Sequence, residues 1–184
     1  MRKLFKSKSE KRLWTWVLII VLAIFSTLFL GQPLAQLFSN QDLQAAIFLV
    51  AMAVIGVVIL LHGLKVKPRK KELIIWLGII AVYLMFFLRL GLAERSHLIE
   101  YSVLAIFIHK ALLARNKNDA KIKYPALLAF IIVFLIGCFD ECLQIFIPSR
   151  VFDPVDIFFN GFVSAAALFS HWGIQKLRLF RNKN

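Results

Sequence analysis

Two long apolar runs constrain the fold of this chain more than any other feature. Residues Leu13–Leu30 and Leu43–Leu64 contain no Asp, Glu, Lys or Arg. A helix of about 20 apolar residues crosses the hydrocarbon core of a bilayer, so both runs predict membrane-spanning helices. The composition agrees, because 60% of the residues are hydrophobic and only 18% are charged, against about a quarter charged in soluble domains.

The rest of the chain adds four further candidate spans, which are Leu73–Leu88, His97–Leu113, Tyr124–Phe139 and Val155–Ile174. The first run, Leu13–Leu30, is not interpreted as a cleaved signal peptide, because the apolar core of a signal has only about 7–15 residues. We therefore predict an all-α fold, a polytopic transmembrane helix bundle with six spans.

The distribution of basic residues predicts the orientation of these spans. Of the 23 Lys and Arg residues, 20 lie in alternate connections, namely residues 1–12, 65–72, 110–123 and 176–184. The positive-inside rule places these segments, and both termini, in the cytoplasm. The basic residues form no continuous stripe, so the net charge of +13 does not indicate nucleic acid, and membrane lipids are the expected partners.

The predicted organisation follows from the spans. We expect a basic cytoplasmic amino terminus at 1–12, two spans within 13–64, a cytoplasmic loop at 65–72, a transmembrane core at 73–175 and a basic cytoplasmic tail at 176–184. Seven of the ten acidic residues fall at or near the predicted outer ends of the spans. Acidic residues contribute little to orientation, so their placement indicates that the outer face uses carboxylates.

Two polar segments carry the candidate functional residues. In the first, Glu94–Tyr101, helical spacing places Glu94, His97 and Tyr101 on one face. The second, Phe139–Asn160, interrupts the apolar sequence between the last two spans. Ionisable groups at such depths in a membrane are costly unless they are paired, and they usually mark function.

Within the second segment, Asp140 and Glu141 lie three or four residues before Gln144, so all three can share one side of a helix end. Proline at position 148 is expected to stop that helix. Asp153 is expected to cap the next helix. The last span then begins with a polar line at Asp156, Asn160 and Ser164, which should face the bundle because lipid would not tolerate it.

The order of these residues resembles the VanZ-like family of bacterial integral membrane proteins. The positions that carry the resemblance are Asp140-Glu141, Gln144, Phe146, Pro148, Arg150, Asp156 and Asn160, with His97 and Tyr101 upstream. The family usually has Asp-Lys before this histidine, whereas this chain has Glu94-Arg95, which keeps the charges. The resemblance implies a multi-pass protein of the bacterial cytoplasmic membrane, with residues 73–175 as the VanZ-like core. It also implies an association with resistance to teicoplanin, a glycopeptide antibiotic, but no established reaction.

These residues are compatible with two roles, a catalytic or substrate-binding role and a purely stabilising one. The candidate catalytic residues are Asp140, Glu141 and His97, and the candidate substrate-binding residues are Glu94, Arg95, Glu100, Tyr101, Gln144, Arg150, Asp156 and Asn160. The structural alternative is an ion-pair network at the outer ends of the last two spans, in which Arg150 forms a bidentate pair with a carboxylate and orders the loop between them. No metal is predicted, because the sequence has no HExxH or paired-cysteine spacing, and the cofactor stays open.

Three functions fit these residues. In the first, the outer site binds a cell-envelope or lipid-linked component, with lipid-linked precursors or a glycopeptide as partners. In the second, the protein is a membrane-embedded hydrolase or transferase of lipid-linked substrates that uses Asp140 or Glu141 as acid or base. The third, a small transporter, is the least favoured because the polar line ends at Ser164. The sequence leaves open whether the protein is an enzyme.

Overall fold

The computed structural model describes residues 7–37, 50, 70–89, 92–117, 122–148 and 150–181. These residues form α-helices joined by turns, and no strand occurs among them. The helices are α1 (Lys8–Leu37), α2 (Lys70–Arg89), α3 (Leu92–Lys117), α4 (Pro125–Gln144) and α5 (Pro154–Arg181). The all-α prediction is confirmed for the part of the chain that the structure describes.

Among the described residues, four helical segments are long and apolar enough to cross a membrane, namely Lys8–Leu30, Ser96–Lys117, Pro125–Gln144 and Pro154–Gln175. They coincide with the first, fourth, fifth and sixth predicted spans. The third predicted span falls on α2, where the apolar helix Leu73–Val82 is shorter. The second, Leu43–Leu64, lies outside the described residues apart from Val50. The six-span count and the cytoplasmic termini stay predictions.

The chain divides into two compact units, Met1–Leu28 with Leu84–Asn184, and Phe29–Tyr83. In the first unit, α3, α4 and α5 pack against one another pairwise. Helix α4 runs antiparallel to α3, because Tyr101 meets Asp140 at one end while Asn116 hydrogen-bonds Ile122, just before α4, at the other. The start of α3, the end of α4 and the start of α5 therefore lie at one end of the bundle.

Local sequence explains where the helices begin. The Glu10 backbone N–H donates to Ser7 Oγ at 3.1 Å, which caps α1 in the manner of a Ser-x-x-Glu box. Helix α1 consequently starts at Lys8, within the basic terminus and ahead of the predicted Leu13. At α5, the Val155 N–H donates to Asp153 Oδ1 at 2.8 Å, which confirms Asp153 as the cap of this helix.

The helices present apolar side chains outward and pack small or apolar ones inward. Leu135 and Phe139 on α4 and Phe158 and Phe162 on α5 are exposed, as expected for surfaces that face acyl chains. The buried interior of the three-helix group includes Leu104, Ile108, Ala129, Val133, Val163 and Ala167. Polar side chains buried at one end of this group are therefore exceptional and need a physical reason.

Candidate functional site

Two fully buried carboxylates lie at the end of α4. Asp140 is 1% exposed and Glu141 is 0% exposed. The Tyr101 hydroxyl donates to Asp140 Oδ2 at 3.0 Å, and the Gln144 amide donates to Glu141 Oε1 at 2.8 Å. Each carboxylate thus has one oxygen held by a neighbouring side chain, one from α3 and one from the next turn of α4.

Helix α3 adds His97 to this pair of acids. His97 lies four residues before Tyr101, and the two rings stack with centroids 5.7 Å apart and planes 11° from parallel. One ligand atom from each of His97, Asp140 and Glu141 lies within 4.8 Å of the others. The structure therefore brings together the three residues that the sequence singled out as catalytic candidates.

Helix α5 contributes Asn160, which is 1% exposed. It approaches α4 at Gly137, where an added Cβ would lie 3.5 Å from Asn160 Cβ and 3.3 Å from Tyr101 Cε1. One turn further along α5, Ser164 Oγ donates to the Asn160 carbonyl at 2.7 Å. The polar line of α5 thus faces the bundle at Asn160 and Ser164, while Asp156 is half-buried.

Four polar atoms in this region are buried and, within the described residues, have no hydrogen-bond partner. They are Asp140 Oδ1, Glu141 Oε2, and Asn160 Oδ1 and Nδ2. More than nine in ten buried polar groups in proteins do have a partner, so each exception needs an explanation such as water, an ion or a functional role. These atoms mark the place where a ligand, a cation or a proton would bind.

Arg150 supplies positive charge without gripping a carboxylate. Its Nη2 donates to the Thr27 carbonyl of α1 at 3.0 Å, and its charge interacts electrostatically with Asp140 and Glu100. In the described part of the chain it makes no direct ion pair with either acid. The expected bidentate ion pair with a carboxylate is therefore absent for Arg150 in the described structure, and Arg150 instead hydrogen-bonds the backbone of α1 and interacts with the acids over a longer distance. The Asp156 carboxylate acts on Glu141 with the opposite sign, because the two negative charges repel each other.

We call six of these side chains the polar cluster, and its members are His97, Tyr101, Asp140, Glu141, Gln144 and Asn160. Three further charged residues interact electrostatically with members of this cluster, namely Glu100, Arg150 and Asp156. The side chains of Glu94 and Arg95, also predicted to bind substrate, lie outside the described residues. All the other candidates converge on one end of the bundle.

Sequence reasoning missed two contributors. Gly137 allows the close approach of Tyr101 and Asn160, and its position one turn before Asp140 in an apolar helix was the available signal. Thr27 contributes only its backbone carbonyl, for which no side-chain pattern exists.

The chemistry open to the polar cluster follows from its atoms. Carboxylate and amide oxygens accept hydrogen bonds from hydroxyl and ammonium groups. A histidine nitrogen and two carboxylate oxygens can bind a metal ion. A buried acid can also transfer a proton to a bound molecule.

Comparison with models of known protein families identifies the family of this chain. The model of the VanZ/LLP1 family matches residues 15–174, which include the whole polar cluster. No curated protein and no solved structure matches the chain.

Proposed function

The chain belongs to the VanZ/LLP1 family, and from this premise we propose that it binds the polar headgroup of a cell-envelope lipid or lipid-linked envelope component. The headgroup binds at the polar cluster. The observation that carries the proposal is the burial of six polar side chains, two of them carboxylates, from three helices at one end of a bundle whose interior is mostly apolar. Such groups are costly in a membrane and are retained where they serve a ligand.

The proposed location is the bacterial cytoplasmic membrane, which the chain crosses several times, with the polar cluster on the outer side. The alternation of basic connections supports this orientation. The start of α3 and the end of α4 belong to connections that carry few Lys and Arg residues. An outward-facing cluster would meet envelope precursors after they cross the membrane.

The chemistry of the cluster favours a headgroup rich in hydroxyl or ammonium groups. Asp140 Oδ1 and Glu141 Oε2 are free to accept hydrogen bonds within the described structure. The apolar outer faces of α4 and α5 would at the same time contact the acyl or prenyl chain of the same lipid. A lipid-linked sugar combines these two properties.

Lipid retention tests the proposal directly. Wild-type protein is extracted from its bacterial membrane in mild detergent, and its co-purifying lipids are quantified by mass spectrometry. We expect one envelope lipid class to be enriched over bulk lipid, and Glu141→Gln to deplete it by about 10- to 100-fold, because a charged hydrogen bond contributes about 1.5–3 kcal/mol. The matched control is Asp119→Asn, which removes a carboxylate from the predicted cytoplasmic connection and should change nothing.

Thermal unfolding of each variant shows whether it is folded. If Glu141→Gln does not fold, Asn160→Ser provides the second test, because it shortens the amide and keeps α4 intact. Identical lipid profiles in wild type, control and both folded variants would overturn the proposal.

A membrane-embedded hydrolase or transferase is the second candidate. It is favoured by the buried Glu141 Oε2, which lacks a partner among the described residues and could exchange a proton with a substrate. Glu141→Gln keeps the shape of the side chain and removes its acid-base function. If the protein is an enzyme, this variant should lose all turnover while the lipid remains bound. If it is a binding protein, the variant should keep part of the wild-type effect on the cell envelope.

The proposal extends to glycopeptide resistance through the family resemblance. A protein that binds or alters the presentation of envelope precursors would change the access of teicoplanin to its target. Expression of the wild-type chain in a susceptible host is expected to raise the minimum inhibitory concentration of teicoplanin, and Glu141→Gln should reduce that increase. Equal susceptibility with and without the wild-type chain would remove this extension and leave lipid binding to its own test.

A further inference from the structure

Three side chains of the polar cluster have the composition and spacing of a metal site. His97 from α3 and Asp140 and Glu141 from α4 are all buried, and their ligand atoms lie within 4.8 Å of one another. Imidazole nitrogen and carboxylate oxygen bind zinc at about 2.0–2.2 Å in tetrahedral geometry, so neighbouring ligand atoms of a zinc site lie about 3.4 Å apart. Side-chain rotations that shorten the present separations would bring all three atoms into coordination.

The hydrogen bonds around the two acids provide an independent observation. Asp140 Oδ2 is held by Tyr101 and Glu141 Oε1 by Gln144, while Asp140 Oδ1 and Glu141 Oε2 are buried without a partner among the described residues. Carboxylates that bind metals are typically held in this way by outer hydrogen bonds, which orient the remaining oxygen toward the ion. Tyr101 and Gln144 would be positioning residues.

The charge balance also calls for a cation. Two adjacent buried carboxylates are costly unless an opposite charge compensates them. Arg150 interacts with Asp140 only at longer range, and its guanidinium donates to the Thr27 carbonyl. His97 also acts electrostatically on Asp140, whereas the charged groups that act on Glu141 are the carboxylates of Asp156, Asp140 and Asp153. A divalent ion bound to Asp140 Oδ1 and Glu141 Oε2 would neutralise the charge of both carboxylates.

We infer that His97, Asp140 and Glu141 bind a divalent transition-metal cation of the zinc or manganese class. Three protein ligands leave an open coordination position. The open position would accept a hydroxyl oxygen of the bound headgroup, whose hydroxyl groups the proposed function already requires. This role in headgroup recognition rests on the proposed function, whereas metal binding itself does not.

Metal content is the primary test. The full chain is purified with a tag that contains no histidine, incubated with Zn²⁺ or Mn²⁺, desalted and measured by inductively coupled plasma mass spectrometry. Wild type should retain about one equivalent per chain. His97→Gln and Glu141→Gln should each lose nearly all of it, while the control His109→Gln, a buried histidine further along α3, should retain it.

A positioning role for Tyr101 has its own measurement. Tyr101→Phe removes the hydrogen bond to Asp140 and keeps all three proposed ligands. Loss of such an outer hydrogen bond lowers metal affinity by about 10- to 100-fold, which a competition titration with a chelator measures. Unchanged affinity would remove Tyr101 from the proposed site.

Chelation of the wild type keeps the inference testable if the variants do not fold. Removal of the metal should lower the unfolding midpoint, and added Zn²⁺ or Mn²⁺ should restore it, since a ligand that binds only the folded state stabilises it. The inference is overturned if wild type retains no metal and shows no such shift, or if His97→Gln and Glu141→Gln retain as much metal as wild type. Metal binding without lipid retention would refute only the proposed function, and lipid retention without metal would refute only the cation site.

Discussion

The buried acids depend on a small number of side-chain donors. Asp140 has the Tyr101 hydroxyl, and Glu141 has the Gln144 amide, which lies on the same helix. Helical spacing predicted the second pair, because residues three apart in a helix face one another. The first pair could not be predicted in this way, since Tyr101 and Asp140 are brought together only by the packing of α3 against α4.

Removal of the Tyr101 hydroxyl should destabilise the protein. Tyr101→Phe leaves the buried Asp140 carboxylate without the donor seen in the structure, and a buried group that loses its partner costs about 1–3 kcal/mol. Reversible unfolding in detergent, followed by circular dichroism, measures the change. Tyr124→Phe is the matched control, because Tyr124 is exposed, and it should change stability by less than about 0.5 kcal/mol. Equal stability of the two variants would show that the hydrogen bond to Asp140 contributes nothing.

At the scale of helices, the site depends on the close approach of α4 to its neighbours. The sequence predicted the helices themselves from apolar length. Gly137 was missed because a glycine in an apolar helix does not show which neighbour it meets. The structure identifies these neighbours as Tyr101 on α3 and Asn160 on α5.

Two glycine substitutions test this packing. Gly137→Ala places a methyl group 3.3 Å from Tyr101 Cε1. The Tyr101 ring has little freedom to move away, because it stacks on His97 and its hydroxyl donates to Asp140, so we expect a loss of about 1–3 kcal/mol from overpacking. Gly173→Ala is the control, because a Cβ there meets nothing within 4 Å and alanine favours a helix by up to about 1 kcal/mol. Unfolding free energies in detergent should therefore change in opposite directions. A neutral or stabilising Gly137→Ala would contradict the packing of α4 described above.

The cap of α5 is a second prediction at this scale. Asp153→Ala removes the acceptor of the Val155 N–H and should cost about 0.5–2 kcal/mol of stability. Asp153→Asn retains a capping oxygen and should recover most of that loss. If both variants lose the same stability, the negative charge rather than the hydrogen bond stabilises this helix start.

For the whole molecule, hydropathy predicted the helices of four spans well because the requirement of the bilayer is simple. Length and apolar composition decide whether a helix can cross the membrane. Helices of sufficient length occur at the positions predicted for Leu13–Leu30, His97–Leu113, Tyr124–Phe139 and Val155–Ile174. The site was harder to predict in detail. Residue types indicated that His97 and Glu141 belong to one face of the membrane, but which atoms meet is decided by tertiary packing.

The predicted orientation can be tested with single cysteines. Cys138 and Cys142 are free thiols and Cys142 is exposed, so both are first replaced by alanine. Asn40→Cys should then react with a membrane-impermeant maleimide on intact cells, whereas Val66→Cys should react only after lysis, because basic connections remain in the cytoplasm. Labelling of Val66→Cys on intact cells would reverse the orientation.

The central claim is that side chains from different helices form one headgroup site, and a double-mutant cycle in lipid retention tests it most directly. Glu141→Gln on α4 and Asn160→Ser on α5 are measured singly and together by quantitative mass spectrometry of the co-purified envelope lipid. Residues that share a ligand should couple by about 0.5–3 kcal/mol, so the double variant should lose less than the sum of the two single losses. Strictly additive losses, or no loss in either single variant, would contradict a shared site.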